Sequence, residues 1–190
     1  MSAPRSPEST EARMPPFVIL HAFTSLAEMQ ACEPLFREYM AWLVDQLRAE
    51  HNITLEPDEV ERVHAEFRTE WPTLLGPRGR VVVAMVAGVP LGVGALKPIS
   101  ADEVELKRLF VRPGHRGVGT GRRILEHLIA EAQSAGYRTM RLETFGFMHA
   151  ALDLYRSAGF TETARFDGVE GSSHGTAGVE LFMRLRLAVD

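Results

Sequence analysis

The chain reads as a mixed α/β (α+β) domain: a mostly antiparallel sheet with a central parallel strand pair and helices on both faces. Three observations predict this. Between Arg80 and Val111, three short β-patterned runs are separated by turn residues, the mark of an antiparallel meander. After Val111 helical and strand periods alternate, which demands a crossover between parallel strands. Finally, 190 residues that are 45% apolar and 24% charged can bury about 70% of the unfolded surface in one core without staples.

Residues 1–15, rich in Pro, Ser, Glu and Ala, are expected to form a disordered leader, with one domain over 16–190. Phe17 to Leu20 is apolar and strand-like. Ser25-x-x-Glu28 has the form of a capping box, and Leu35, Phe36, Tyr39, Met40, Leu43 and Leu47 continue at helical spacing. Pro34 lacks an amide hydrogen, so it must kink that helix or begin a second one. A shorter helix follows Pro57, with Val60, Val63 and Phe67 on one face. Gly76-Pro77-Arg78-Gly79 then breaks the pattern. Strands follow at Arg80 to Ala87 and Leu91 to Lys97, joined through Gly88-Val89-Pro90, and at Val104 to Val111. Ile124, Leu125, Leu128, Ile129 and Ala132 mark a helix ending at Gly136; Thr139 to Phe145 is a strand. A helix through Ala151, Leu154 and Tyr155 stops at Gly159, a short strand is allowed after it, and Val179 to Leu187 is the last strand.

The strand at 104 carries a phase error. Val104 and Leu106 share one face, yet Leu109 and Val111 fall on the opposite one, so the alternation slips near Lys107-Arg108. Burial of the strand's end on both faces accounts for this, and so does a β-bulge. A bulge would bend the strand away from its parallel neighbour and leave backbone groups facing a gap.

Composition excludes several function classes. A net charge of −4, with basic residues interleaved with acids, argues against nucleic acid as a partner. No apolar run is long enough for a membrane span, and the first residues lack an export signal's basic start and apolar run, so a cytoplasmic location is expected. Cys32 is the one cysteine and fits a packed core thiol; the scattered histidines have no ligand spacing, so no metal site is expected. Acids gather between Glu50 and Glu70. Arg112, His115, Arg116, Arg122 and Arg123 form a basic stretch.

That basic stretch carries the chemistry. Arg116-Gly117-Val118-Gly119-Thr120-Gly121 is a glycine-rich turn into a helix, where small residues let a ligand approach and the first helical N–H groups point at it. It is an anion cradle. The lysine of a phosphate-binding P-loop is missing, since Thr120 follows Gly119, and Arg122 stands where a dinucleotide fingerprint needs its third glycine.

Arg116-x-x-Gly119-x-Gly121, following Leu106-Lys107-Arg108-Leu109-Phe110-Val111, resembles the acetyl-CoA loop of the GNAT superfamily N-acetyltransferases. Ala151-x-x-Leu154-Tyr155 with Gly159-Phe160 resembles that family's second signature. The resemblance covers about residues 16–187. It implies acetyl-CoA as co-substrate, with the pantetheine arm between two splayed parallel strands on the main chain of Leu109 and Val111, and with Phe110 counted among the cofactor-binding residues. Its pyrophosphate would lie on the amides of Arg116, Gly117, Val118, Gly119, Thr120 and Gly121. Met148 departs from the pattern, where many relatives carry a cofactor-binding Asn.

The resemblance further implies Tyr155 as the acid that protonates the departing thiolate and Glu105 as the base that relays the amine's proton, with Glu143 the rival carboxylate. A backbone N–H in the splay, that of Leu109, would stabilise the oxyanion. Direct transfer in a ternary complex is expected, because Cys32 lies far from both signatures. The acceptor is expected to be a small-molecule amine, lined by the first helices and the segment Arg165 to Gly178, without nucleic acid or membrane partners and with a homodimer left open. The alternatives are a protein N-terminus or lysine as acceptor, and a non-catalytic acyl-CoA sensor.

Overall fold

The computed structural model describes residues 18–166, 176 and 178–188. Residues 1–15, the expected leader, and Phe17 lie outside the described residues. The elements are β1 (Ile19–Ala22), α1 (Leu26–Ala31), α2 (Glu33–His51), α3 (Pro57–Leu74), β2 (Arg80–Val86), β3 (Val89–Pro98), β4 (Glu103–Val111), α4 (Thr120–Ser134), β5 (Thr139–Phe145), α5 (His149–Ser157), β6 (Thr161–Thr163) and β7 (Glu180–Arg186).

The seven strands form one sheet in the order β1-β2-β3-β4-β5-β7-β6. Every neighbouring pair is antiparallel except β4–β5, the expected central parallel pair. The capping box forms: Ser25 accepts from the Glu28 amide while the Glu28 carboxylate takes the Ser25 amide. Pro34 starts a second helix rather than kinking the first. It sits in the opening turn of α2, where no intrahelical bond is lost. Pro57 likewise opens α3, which runs longer than its apolar stripe announces, through Trp71 to Leu74. The β2–β3 turn falls on Ala87 and Gly88, both left-handed at φ 48° and 79°, so Val89 and Pro90 already belong to β3.

Two cores hold the sheet, one on each face. On one, α4 and α5 lay Ile124, Leu125, Leu128, Ala132, Leu152 and Tyr155 over the strands. Leu128 and Ile124 press on Gly94 of β3, where a Cβ would come within 2.8 Å and 2.9 Å of them. Leu128→Ala therefore opens a hole that the flat strand cannot refill, at a cost of about 2–5 kcal/mol. On the other face Phe36, Phe67, Trp71 and Phe110 pack with α1. Farther along that face, α2 and α3 contribute Met40, Leu43, Leu47 and Val63, which gather around Phe145.

Cys32 is 4% exposed within the α1–α3 core, and burial raises its thiol pKa above the ordinary value, as a core thiol requires. Among the described residues no helix is long and apolar enough to cross a membrane.

Candidate functional site

The site begins with the slip in β4. Ala95 of β3 faces Lys107 and Val93 faces Phe110, so one extra residue of β4 is accommodated between them. Arg108 carries it with a left-handed φ of 57°. The bulge, rather than burial on both faces, is the cause of the phase error: it returns Leu109 and Val111 to the face of Val104 and Leu106, against α4. It also ends the parallel pairing. β4 and β5 share only Glu103–Glu105 with Thr139–Arg141, and beyond Glu105 the two strands diverge.

The backbone of β4 then divides between its ladder and the gap. The Arg112 amide donates to Leu91 O at 2.9 Å, which makes those two a hydrogen-bonded antiparallel pair. By the alternation of such a ladder, Phe110 spends its amide and carbonyl on Val93, while Val111, opposite Gly92, turns both of its groups away from β3. The Val111 carbonyl there accepts from Arg116 Nε at 2.8 Å. Phe110 enters the site through its ring, beneath Tyr39 and Trp42 at 5.4 Å and 6.1 Å.

At the end of β4, residues 113–119 are exposed and lead into α4. The Arg116 amide closes a tight turn on Pro113 O at 3.3 Å. The amides of Gly117 to Gly121 have no such carbonyl partner among the described residues. Gly117 and Gly119 are left-handed at φ 79° and 85°, and an added Cβ at either would meet nothing within 4 Å. The first turn of α4 holds no acid, so orphan amides, the helix dipole and Arg122 and Arg123 all favour an anion there. The residues present thus fit a pyrophosphate on the loop and an extended arm in the gap.

Helix α2 is fastened to this loop. Arg112 grips Glu38 with two bonds, 2.6 Å and 2.7 Å, and Pro90 O with a third at 2.7 Å. The guanidinium of Arg116 lies 4.5 Å above the Trp42 ring, and its partial burial lowers its pKa from the ordinary value. Arg112 also holds the Glu38 carboxyl below its usual range by that hydrogen bonding.

On the opposite face the diverging strands open a cleft of about 690 Å³, continuous with solvent, between β4, β5, α2 and α3. Glu105 and Glu143 both line it, together with Lys107 and Arg108. Glu105 is 5% exposed and faces Arg141 across the parallel pair, Oε2 to Nη2 3.5 Å. Lys107 is buried on the Glu70 carboxylate at 2.9 Å. Thr176 reaches the cleft from the expected acceptor-side segment, of which residues 167–175 and 177 lie outside the described residues. The lining helices are α2 and α3, without α1.

Tyr155 stands apart from the cleft, in the α5 core beside Phe160 at 5.8 Å. Burial first, and a Tyr39 charge second, raise its phenol well above the usual tyrosine range. Tyr39, which lines the cleft, is thus within electrostatic reach of Tyr155. Tyr39 escapes sequence reasoning because its spacing on α2 is that of any core residue. Met148, at the Asn position of the family pattern, accepts the Thr144 hydroxyl on its sulfur at 3.5 Å.

The acids at 50–70 are mostly a solvated face, in part ion-paired. Glu61 meets Arg37 and Arg68, Glu33 on α2 meets both as well as His64, and only Glu70 turns inward.

Comparison with known proteins adds an independent line. An IAA acetyltransferase of Azospirillum brasilense is 38% identical over 95 residues, 50% of this chain and 62% of that protein. The ribosomal protein bS18-alanine N-acetyltransferase of Salmonella typhimurium is 34% identical over 104 residues, 54% of this chain and 70% of that protein. The chain thus spans about three fifths of the first relative's length.

Among solved structures, an acetyltransferase of the GNAT family from Staphylococcus aureus superposes with a TM-score of 0.65 at 20% identity, over 90% of this chain and all of that one. An acetyltransferase from Salmonella typhimurium, solved with its cofactor acetyl-CoA, gives 0.62 at 24% identity over 92% and 96% of the two chains. At such identities the likeness is one of fold. The profile of the acetyltransferase (GNAT) family matches residues 36–160, a segment that holds the bulged strand, the glycine loop and Tyr155. With well over half of its length inside that match, the chain belongs to the GNAT acetyltransferase family.

Proposed function

We propose that the protein transfers an acetyl group from acetyl-CoA directly to the primary amine of a small molecule, within a ternary complex. One observation carries the reading: the gap that opens beyond Glu105 has an anion cradle at its far end and a carboxylate-bearing cleft at its near end. Two substrates can therefore meet from opposite faces of the sheet.

Acetyl-CoA supplies an acyl group activated as a thioester. The amides of Gly117 to Gly121 hold its pyrophosphate, with Leu109 and Val111 offering main chain to the arm. Glu105 accepts the proton of the attacking amine through water, so that its nitrogen presents a lone pair. As the new C–N bond forms and the C–S bond breaks, Tyr155 gives its phenolic proton to the sulfur. Because burial raises that phenol, it stays protonated at neutral and mildly alkaline pH. Cys32 is buried in the core with Met29, Leu35 and Phe36 and does not line the cleft, so no acyl-carrier role is assigned to it.

The similarity to a ribosomal-protein alanine N-acetyltransferase supports a second reading, with a protein N-terminus as acceptor. A cytoplasmic location and the absence of nucleic acid and membrane partners belong to the same proposal, with a homodimer left open. Thiol release from acetyl-CoA, measured over a panel of small amines and N-terminal peptides, tests it. Release with small amines, with intersecting initial-rate lines, is expected. Release with peptides alone selects the second reading; release with neither, despite binding of acetyl-CoA, makes the protein a sensor.

A further inference from the structure

Resting on the acyl-transfer reading above, we infer that the acceptor is a primary amine with an uncharged apolar body lying along α2, and not a polycation. Beyond Tyr39, the wall formed by the helices is apolar. Leu43 and Leu47 follow Tyr39 at intervals of four along α2, a stripe of about 12 Å at 1.5 Å per residue. Leu55, Val63 and Phe145 complete it.

Among the described residues the carboxylates and cations of the lining sit on the strand side, and the helices add only the phenol of Tyr39 at one end of the stripe. There Glu105, which meets Arg141, and Glu143 present carboxylates beside Arg108, and the positive charge of Lys107 is answered by Glu70. A second ammonium or a row of hydroxyls placed along Leu43, Leu47 and Leu55 would lose water and meet no polar partner. Of the surface acids of α3, Glu59 and Glu61 are engaged by Arg62, Arg37 and Arg68, while Asp58 and Glu66 are exposed and do not line the cleft. Recognition therefore falls to one charge and one apolar tail.

The test uses the full chain with acetyl-CoA and a series of n-alkylamines, phenethylamine, spermidine and kanamycin. The value of kcat/KM is expected to rise about fourfold per methylene, the equivalent of ~0.8 kcal/mol, until the tail reaches Leu47. Spermidine is expected to be much poorer than an alkylamine of equal length. Leu55→Ser should lower the preference for octylamine over ethylamine about fourfold or more, and Leu43→Phe should move the plateau to shorter tails. Both variants should keep the thermal shift produced by acetyl-CoA, which shows that they are folded. A flat alkylamine series, or spermidine or kanamycin turned over faster than the alkylamines, overturns the inference and leaves acyl transfer standing. Absence of both the acetyl-CoA shift and thiol release with any amine overturns acyl transfer itself.

Discussion

Gly119→Val separates the backbone's needs from the ligand's. Gly119 caps α4 with φ 85°, a conformation that a β-branched residue adopts at a cost of about 1–3 kcal/mol. Nothing lies within 4 Å of the added Cβ, so strain is the whole penalty. For a domain of this size each kcal/mol moves Tm by about 2–4 °C, and the ligand-free variant should melt ~2–12 °C lower. Acetyl-CoA at a hundred times its Kd should stabilise the wild type by about 2.7 kcal/mol, or ~5–11 °C, whereas the variant should show no shift. Gly121→Ala is the control. Its Cβ would meet Leu154 and Val111 at 3.6 Å and 3.7 Å, ordinary contacts, so stability and ligand shift should both survive. Scanning fluorimetry reads all three proteins. If Gly119→Val melts lower yet keeps the full shift, the loop amides do not hold the ligand.

Tyr155→Phe should lower turnover about 10²-fold or more with the acetyl-CoA shift intact; wild-type turnover would make Tyr155 purely a core residue. Glu105→Gln should flatten the alkaline rise of the pH–rate profile, while the same change appearing only in Glu143→Gln would assign the base to the other strand. Glu28 is held at a pKa of about 2 instead of 4.5, chiefly by its hydrogen bond to His21 and then by Thr24 and Ser25. Its contribution is thus fully present above pH ~4.5 and lost as pH falls towards 2. Glu28→Gln should therefore flatten the acid limb of a plot of urea midpoint against pH, and an unaltered limb would dissociate the capping box from acid stability.

How much of this could be read from the chain depends on range. The bulge was legible because one strand's alternation records it, and the cradle because its glycines are contiguous. The cleft was not: Leu43, Leu55 and Phe145 are distant in sequence and each looks like ordinary core. Phe110 shows a finer limit. Its place in the strand signature marks it as a cofactor-side residue, yet which face of a ladder its amide serves depends on register with β3, and register is a property of two segments. Pro34 was ambiguous for a related reason, since the choice between a kink and a new start rests on how α1 packs.

The divergence of β4 from β5 creates an edge in the middle of a sheet. Edges elsewhere are guarded by charge, short length or a covering loop, because bare backbone templates the addition of another strand. Here the bare side of Val111 sits beneath Arg116, whose Nε already occupies one acceptor. On the proposed reading, an arm bearing amide groups, laid into the slot, would play the part of the missing strand. Ligand binding would then resemble donor-strand complementation on a small scale, with the side chain of Arg116 as the placeholder that yields or shares the Val111 carbonyl when that strand arrives.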